Sequence, residues 1–82
     1  MLRQRLAACI NISTSIDSLY WWKGKREKAK EVLLFIKTTT RGYGKLEKAL
    51  RKHHPYSVPE IIAIPIAKGN PAYLKWLSGE VR

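Results

Sequence analysis

Ser18-Leu19-Tyr20-Trp21-Trp22-Lys23-Gly24-Lys25-Arg26, followed by Glu31-Val32-Leu33-Leu34-Phe35-Ile36-Lys37-Thr38, is the stretch from which the fold is read. The residues from Ile16 to Trp22 are rich in aromatic and branched side chains and predict one strand, with Lys23-Gly24-Lys25-Arg26 as the turn after it. The segment Glu31–Thr38 predicts another strand. Its centre is apolar at successive positions, the pattern of an interior strand rather than of one with a wet face. The two make a long hairpin whose tip concentrates positive charge: Lys23, Lys25, Arg26, Lys28 and Lys30 stand against Glu27 and Glu31. Such a tip reads first as a device that keeps a sheet edge soluble and unpaired, and second as a phosphate-binding patch.

Toward the N-terminus, Ser13-Thr14-Ser15 is a polar break, and Ala7-Ala8-Cys9-Ile10-Asn11-Ile12 predicts a further strand before it. Ala8, Ile10 and Ile12 fall on one face, Cys9 and Asn11 on the other. The single cysteine excludes an intrachain disulfide and paired-cysteine zinc patterns, and it reads first as a small buried hydrophobe. Leu2 and Leu6 are four apart and suit the last turns of a helix. The Arg-rich, acid-poor start also has the look of a presequence, but cleavage there would damage the apolar run that opens at Leu6.

Toward the C-terminus, Arg41-Gly42-Tyr43-Gly44 matches the opening of an RNA-recognition strand, and the match then fails. Lys45 stands where a stacking Phe is needed and Lys48 where the last aromatic belongs. Tyr43, Leu46, Ala49, Leu50 and His53 recur instead at helical spacing, predicting a helix from near Tyr43 to Lys52 or His53, with Thr39 or Thr40 as its cap. Pro55 forces His54 out of the helical region, so His53 and His54 straddle the helix end. Imidazoles suit copper, zinc, nickel or iron; the alternative is that His53 packs on the helix while His54 caps its last carbonyls. Glu60–Ala67 predicts a fourth strand in which Pro65, unable to donate, marks an edge, a bulge or a handover to a partner. Asn70 and Pro71 open a short final helix with Tyr73, Leu74, Trp76 and Leu77 on its apolar face and Gly79 at its exit.

Composition bounds the rest. Eighty-two residues make one domain with a thin core, while 45% of the chain is hydrophobic and three residues are Trp. That surplus of apolar surface predicts self-association. The longest apolar run, Val32 to Ile36, falls far short of the roughly 20 residues that span a bilayer, so no membrane is expected. The net charge of +10 keeps anionic partners under consideration. No nucleophile–base arrangement, no paired carboxylates and no phosphate-cradling glycine loop is present, so no enzyme is expected.

Four segments together resemble one family. They are Leu6-Ala7-Ala8-Cys9-Ile10-Asn11, Ser18–Lys25, His54-Pro55-Tyr56-Ser57-Val58-Pro59-Glu60-Ile61 and Gly69-Asn70-Pro71-Ala72-Tyr73-Leu74-Lys75-Trp76-Leu77. In order and spacing they are similar to the CutA divalent-cation tolerance proteins, and the resemblance covers nearly the whole chain. It implies an α+β, ferredoxin-like sandwich of the PII/CutA kind, forming a homotrimer with strands pairing between subunits. It also implies cytoplasmic residence, copper and divalent-metal tolerance without catalysis, and no specific nucleic-acid partner. Bacterial relatives of this kind carry copper on the histidines that match His53 and His54, so Cu²⁺ is the expected ligand, with Zn²⁺ or another divalent cation as alternatives. Their additional ligand is a cysteine in a first strand. Cys9 matches a different position and is the only thiol this chain can add. Residues lining the family's inter-subunit cleft match Trp22, Lys37, Tyr56, Glu60 and Trp76, which would make the protein a signalling or scaffold module for a small ligand or partner. Members usually open with a strand and most of a helix before Leu6. The expectation is thus a single domain over 1–82 that lacks the usual first strand and most of the first helix, either because its start is assigned too late, because it is a shortened form, or because a partner supplies the strand.

Overall fold

The computed structural model describes residues 2–54 and 59–82 as an α+β chain: β1 (Cys9–Trp22), β2 (Lys25–Lys37), α1 (Thr40–His53) and α2 (Pro71–Glu80). β1 and β2 form an antiparallel hairpin that pairs Cys9 with Lys37 at its base and Trp22 with Lys25 at its tip. The turn is shorter than expected. Only Lys23 and Gly24 lie between the strands, both with positive φ (52° and 78°), the geometry whose twist matches that of paired strands. Glycine takes that conformation without a Cβ penalty. Gly24→Ala is therefore expected to cost about 1 kcal/mol, seen as a lower urea midpoint, although an added methyl would touch nothing within 4 Å.

The two N-terminal strands expected from sequence are one. The polar break lies inside β1, where the register shifts between the Ile12–Leu34 and Ser15–Val32 pairs, so Ser13 and Thr14 together face Leu33. This is a β-bulge, and the serine makes it affordable: the Leu33 amide donates to Ser13 Oγ at 2.7 Å, and that hydroxyl donates to the Thr14 carbonyl at 2.8 Å. Before the bulge the expected alternation holds. Ile10 and Ile12 stand opposite Ile36 and Leu34, while Cys9 and Asn11 stand opposite Lys37 and Phe35.

Both helices begin where local chemistry says they should. Thr39 Oγ1 accepts from the Gly42 amide at 3.0 Å, and Asn70 Oδ1 accepts from the Ala72 and Tyr73 amides, with Pro71 in the first turn. Arg51, Lys52 and His53 complement the dipole at the end of α1. Gly79 lies within α2 rather than past its end.

Two expectations are corrected. Leu2–Leu6 is a turn rather than a run of helix, closed by the Arg5 amide on the Leu2 carbonyl at 3.0 Å, with Arg5 in the left-handed region (φ 61°) in which many helices end. Residues 59–68 form no strand. A strand exists only beside another, and among the described residues β1 and β2 make the whole sheet. Ile62, Ile64 and Ile66 are left 70%, 80% and 56% exposed.

The core among the described residues is small: Ala7, Leu46 and Leu77 are its buried apolar side chains. It is locked by Thr38, whose hydroxyl donates to the Leu6 carbonyl at 2.8 Å, by the Arg82 amide on the Arg5 carbonyl, and by an ion pair of Arg5 with Glu80. The chain exposes 7384 Å². A compact monomer of 9.5 kDa exposes about 5000 Å². The radius of gyration, 14.9 Å, exceeds the roughly 12 Å of a compact chain this long. Part of the excess sits on the hairpin, where Leu19, Trp21, Val32, Leu34 and Phe35 all face water, and part on the segment that carries Ile62, Ile64 and Ile66. No described helix is long and apolar enough to cross a membrane.

Candidate metal centre and cleft

Helix α1 delivers the two imidazoles. His53 is its last residue and is exposed; His54 follows as C-cap in extended conformation (φ −81°, ψ 136°) and is half-buried. The extended geometry is what Pro55 imposes on its predecessor. Two adjacent helical residues would diverge by about 100°; the change of backbone conformation between His53 and His54 releases that constraint. The carbonyl end of a helix carries partial negative charge and favours a cation there, whereas Arg51 and Lys52 beside it oppose one.

Imidazole nitrogens fit copper or zinc by donor type. Two donors are fewer than such ions use, and among the described residues no three His, Cys, Asp or Glu side chains converge to hold a metal. Cys9 therefore does not complete a three-donor set with the pair. It opens β1 across from Lys37, half-buried, with its thiol 3.8 Å from Asn11 Oδ1. Remaining coordination would come from water or from another copy of the chain.

The cleft residues divide. Lys37 closes β2, its carbonyl bonded by the Ala8 amide at 2.8 Å, and its ammonium lies 5.8 Å from the Tyr73 ring centroid. Tyr73 in turn meets Trp76, with centroids 5.7 Å apart and planes tilted by 40°. Lys37 and Trp76 thus belong to one cluster through Tyr73, which sequence reading placed only on the apolar face of α2. The i, i+3 spacing of Tyr73 and Trp76 was the available signal. A cation beside a ring that itself meets a second ring is suited to a small anion or carboxylate with an apolar body. Trp22 is at the other end of the hairpin, roughly 40 Å from Lys37 at about 3.3 Å per residue, so one chain cannot bring them together. Glu60 is exposed, and Tyr56 lies outside the described residues. A separate open pocket of about 300 Å³ lies near the tip, lined by Leu19, Tyr20, Trp21, Arg26, Glu27 and Lys28. Elsewhere, Tyr43 donates to Glu47 Oε2 at 3.0 Å, and that bond, burial and the carboxylate's charge raise its phenol above the ordinary range.

Comparison with known proteins gives one answer. The family profile described as CutA1 divalent ion tolerance protein matches residues 1–80. The divalent-cation tolerance protein CutA of Thermus thermophilus is 48% identical over 77 residues, which are 94% of this chain and 75% of that protein. A CutA homologue of Xenopus laevis is also 48% identical over 94% of this chain, which spans 51% of that longer protein. Among solved structures, the Thermus thermophilus divalent cation tolerance protein superposes with TM-score 0.95 at 46% identity, over 99% of this chain and 79% of that one. The PII-like protein CutA from Nostoc, in apo form, superposes with TM-score 0.91 at 29% identity, over 99% of this chain and 79% of that one.

Proposed function

The chain belongs to the CutA1 divalent ion tolerance family, and from that premise we propose that it is a non-enzymatic protein of divalent-cation tolerance that binds copper at His53 and His54. The observation that carries the reading is the placement of two consecutive imidazoles across the end of α1, one helical and one extended. The names of its relatives, divalent-cation tolerance proteins, support the class of ligand. Copper stands first because imidazole sites hold Cu²⁺ more tightly than Zn²⁺. The domain acts as a cytoplasmic, ferredoxin-like homotrimer, and the apolar hairpin surface that one chain leaves in water supports that assembly.

Calorimetric titration with Cu²⁺ and Zn²⁺ tests the site. His53→Ala/His54→Ala is expected to lose roughly a hundredfold or more in Cu²⁺ affinity, since losing even a partner behind a ligand costs 10–100-fold. Affinity of the unaltered chain falls on acidification, because imidazole binds metal only when unprotonated. Equal affinities in the variant and the parent would remove these residues from the site.

The cluster of Lys37, Tyr73 and Trp76 favours a second reading, a signalling or scaffold module that binds a small anion in a cleft between subunits. A cleft that joins Trp22 to Lys37 would have to take them from different copies, because they lie at opposite ends of one hairpin. Ligand binding that persists in excess chelator and is lost in Lys37→Ala distinguishes this reading from the first.

A further inference from the structure

Four cations line one face of α1. Arg41, Lys45, Lys48 and Lys52 recur at intervals of four, three and four residues, and all are exposed. At about 100° per residue they fall within roughly 60° of arc, and at 1.5 Å per residue they extend over about 16 Å. The opposite side of the helix carries buried Leu46 and half-buried Tyr43 and Leu50, so the stripe faces away from the core. The one acid of α1, Glu47, lies off the stripe and is engaged by the Tyr43 hydroxyl. Among the described residues no ion pair reaches any of the four.

A helix face that serves only solubility is best built with alternating signs, because opposite charges four residues apart support a helix and like charges oppose it. Here four like charges are stacked in sequence. We propose that this stripe is a docking surface for the phosphate backbone of duplex nucleic acid, engaged without sequence preference. A duplex presents one negative charge per about 1.7 Å of axis, so a stripe of this length meets more phosphates than it has cations. A bilayer is the poorer match, since no Trp, Phe or Leu flanks the four cations to enter the acyl boundary. The helix has no Asn or Gln to read adenine edges, and three of the four stripe cations are lysines, point charges suited to phosphate. The hairpin tip is less suited despite its charge. Lys30 is held by Asp17 at 3.5 Å, and Arg26 and Lys28 stand opposite Trp21 and Leu19, an apolar surface better covered by protein. The proposal is independent of metal binding.

The test is fluorescence anisotropy of the full chain with a labelled random-sequence duplex of about 20 base pairs, at salt concentrations from about 50 to 200 mM. The expected plot of log affinity against log salt has a slope of about −3 to −4 per stripe engaged. Lys45→Glu/Lys48→Glu is expected to weaken binding at least tenfold and to flatten the slope by about 2. That variant keeps its helix, because the carboxylates introduced at positions 45 and 48 lie four residues from Arg41 and Lys52; circular dichroism and Tm verify it. Lys25→Glu/Arg26→Glu at the tip leaves the binding unchanged. A slope near zero, an equal loss in the tip variant, or tighter binding to phosphatidylserine-containing vesicles than to the duplex overturns the proposal.

Discussion

Leu33→Lys/Phe35→Lys is expected to leave the protein monomeric at micromolar concentration, where the unaltered chain is expected to sediment as the proposed trimer. The two residues are two apart on β2 and share a face. They remain 45% and 60% exposed in the single chain. Covering what is still exposed contributes about 1 kcal/mol for each side chain, and a closed three-fold assembly counts every such contribution three times. The variant thereby loses about 6 kcal/mol from the trimer, or more than 10⁴-fold in the association constant, before the cost of desolvating six ammonium groups. The exposed area of the single chain supports such an assembly. Its exposed surface is about 2300 Å² larger than that of a compact monomer of its mass, enough for interfaces of ordinary size. Sedimentation velocity of both proteins at equal concentration decides the matter. A variant that still sediments as a trimer places the interface elsewhere on the hairpin.

What the sequence disclosed and what it hid follow the range of the interactions involved. Helix starts were legible because an N-cap is chemistry within three residues: Thr39 to Gly42, and Asn70 to Ala72 and Tyr73. The extended conformation of His54 was legible because proline acts on its immediate neighbour. Strand limits were not. Lys25–Lys30 carries no apolar alternation, yet it is held in β2 by the partner strand it folds back upon. Ser13-Thr14-Ser15 has the composition of a loop, and only the cross-strand bond from Leu33 shows that it is a bulge. The Glu60–Ala67 segment has the residues of a strand, but a strand needs a neighbour, which residue types cannot supply. In the candidate cleft, Lys37 and Trp76 were named individually. The ring of Tyr73 that joins them was missed, because that contact depends on where the end of β2 meets α2.

Two glycines of α1 are expected to respond with opposite sign. A Cβ on Gly42 would sit 2.9 Å from Thr38 Oγ1, 2.9 Å from Val81 Cγ1 and 3.2 Å from Thr39 Oγ1, whereas a Cβ on Gly44 meets nothing within 4 Å. Gly42 lies where the end of β2, the start of α1 and the chain after α2 converge. Neither hydroxyl beside it can withdraw freely: Thr38 donates to the Leu6 carbonyl, and Thr39 caps the helix through the amide of Gly42 itself. Gly42→Val adds three carbons to this junction and is expected to cost about 3 kcal/mol or more, from overpacking and loss of the cap. At roughly 4–8 °C per kcal/mol for a domain of this size, Tm falls by about 15 °C. Gly44→Ala, on the exposed side, removes backbone freedom from the unfolded chain without touching a neighbour and gains up to about 1 kcal/mol. Thermal melts at one protein concentration, to hold any association constant, separate the two outcomes. Equal melting temperatures for the two variants would mean that helix propensity, and not the packing of α1 against Thr38 and Val81, governs this junction.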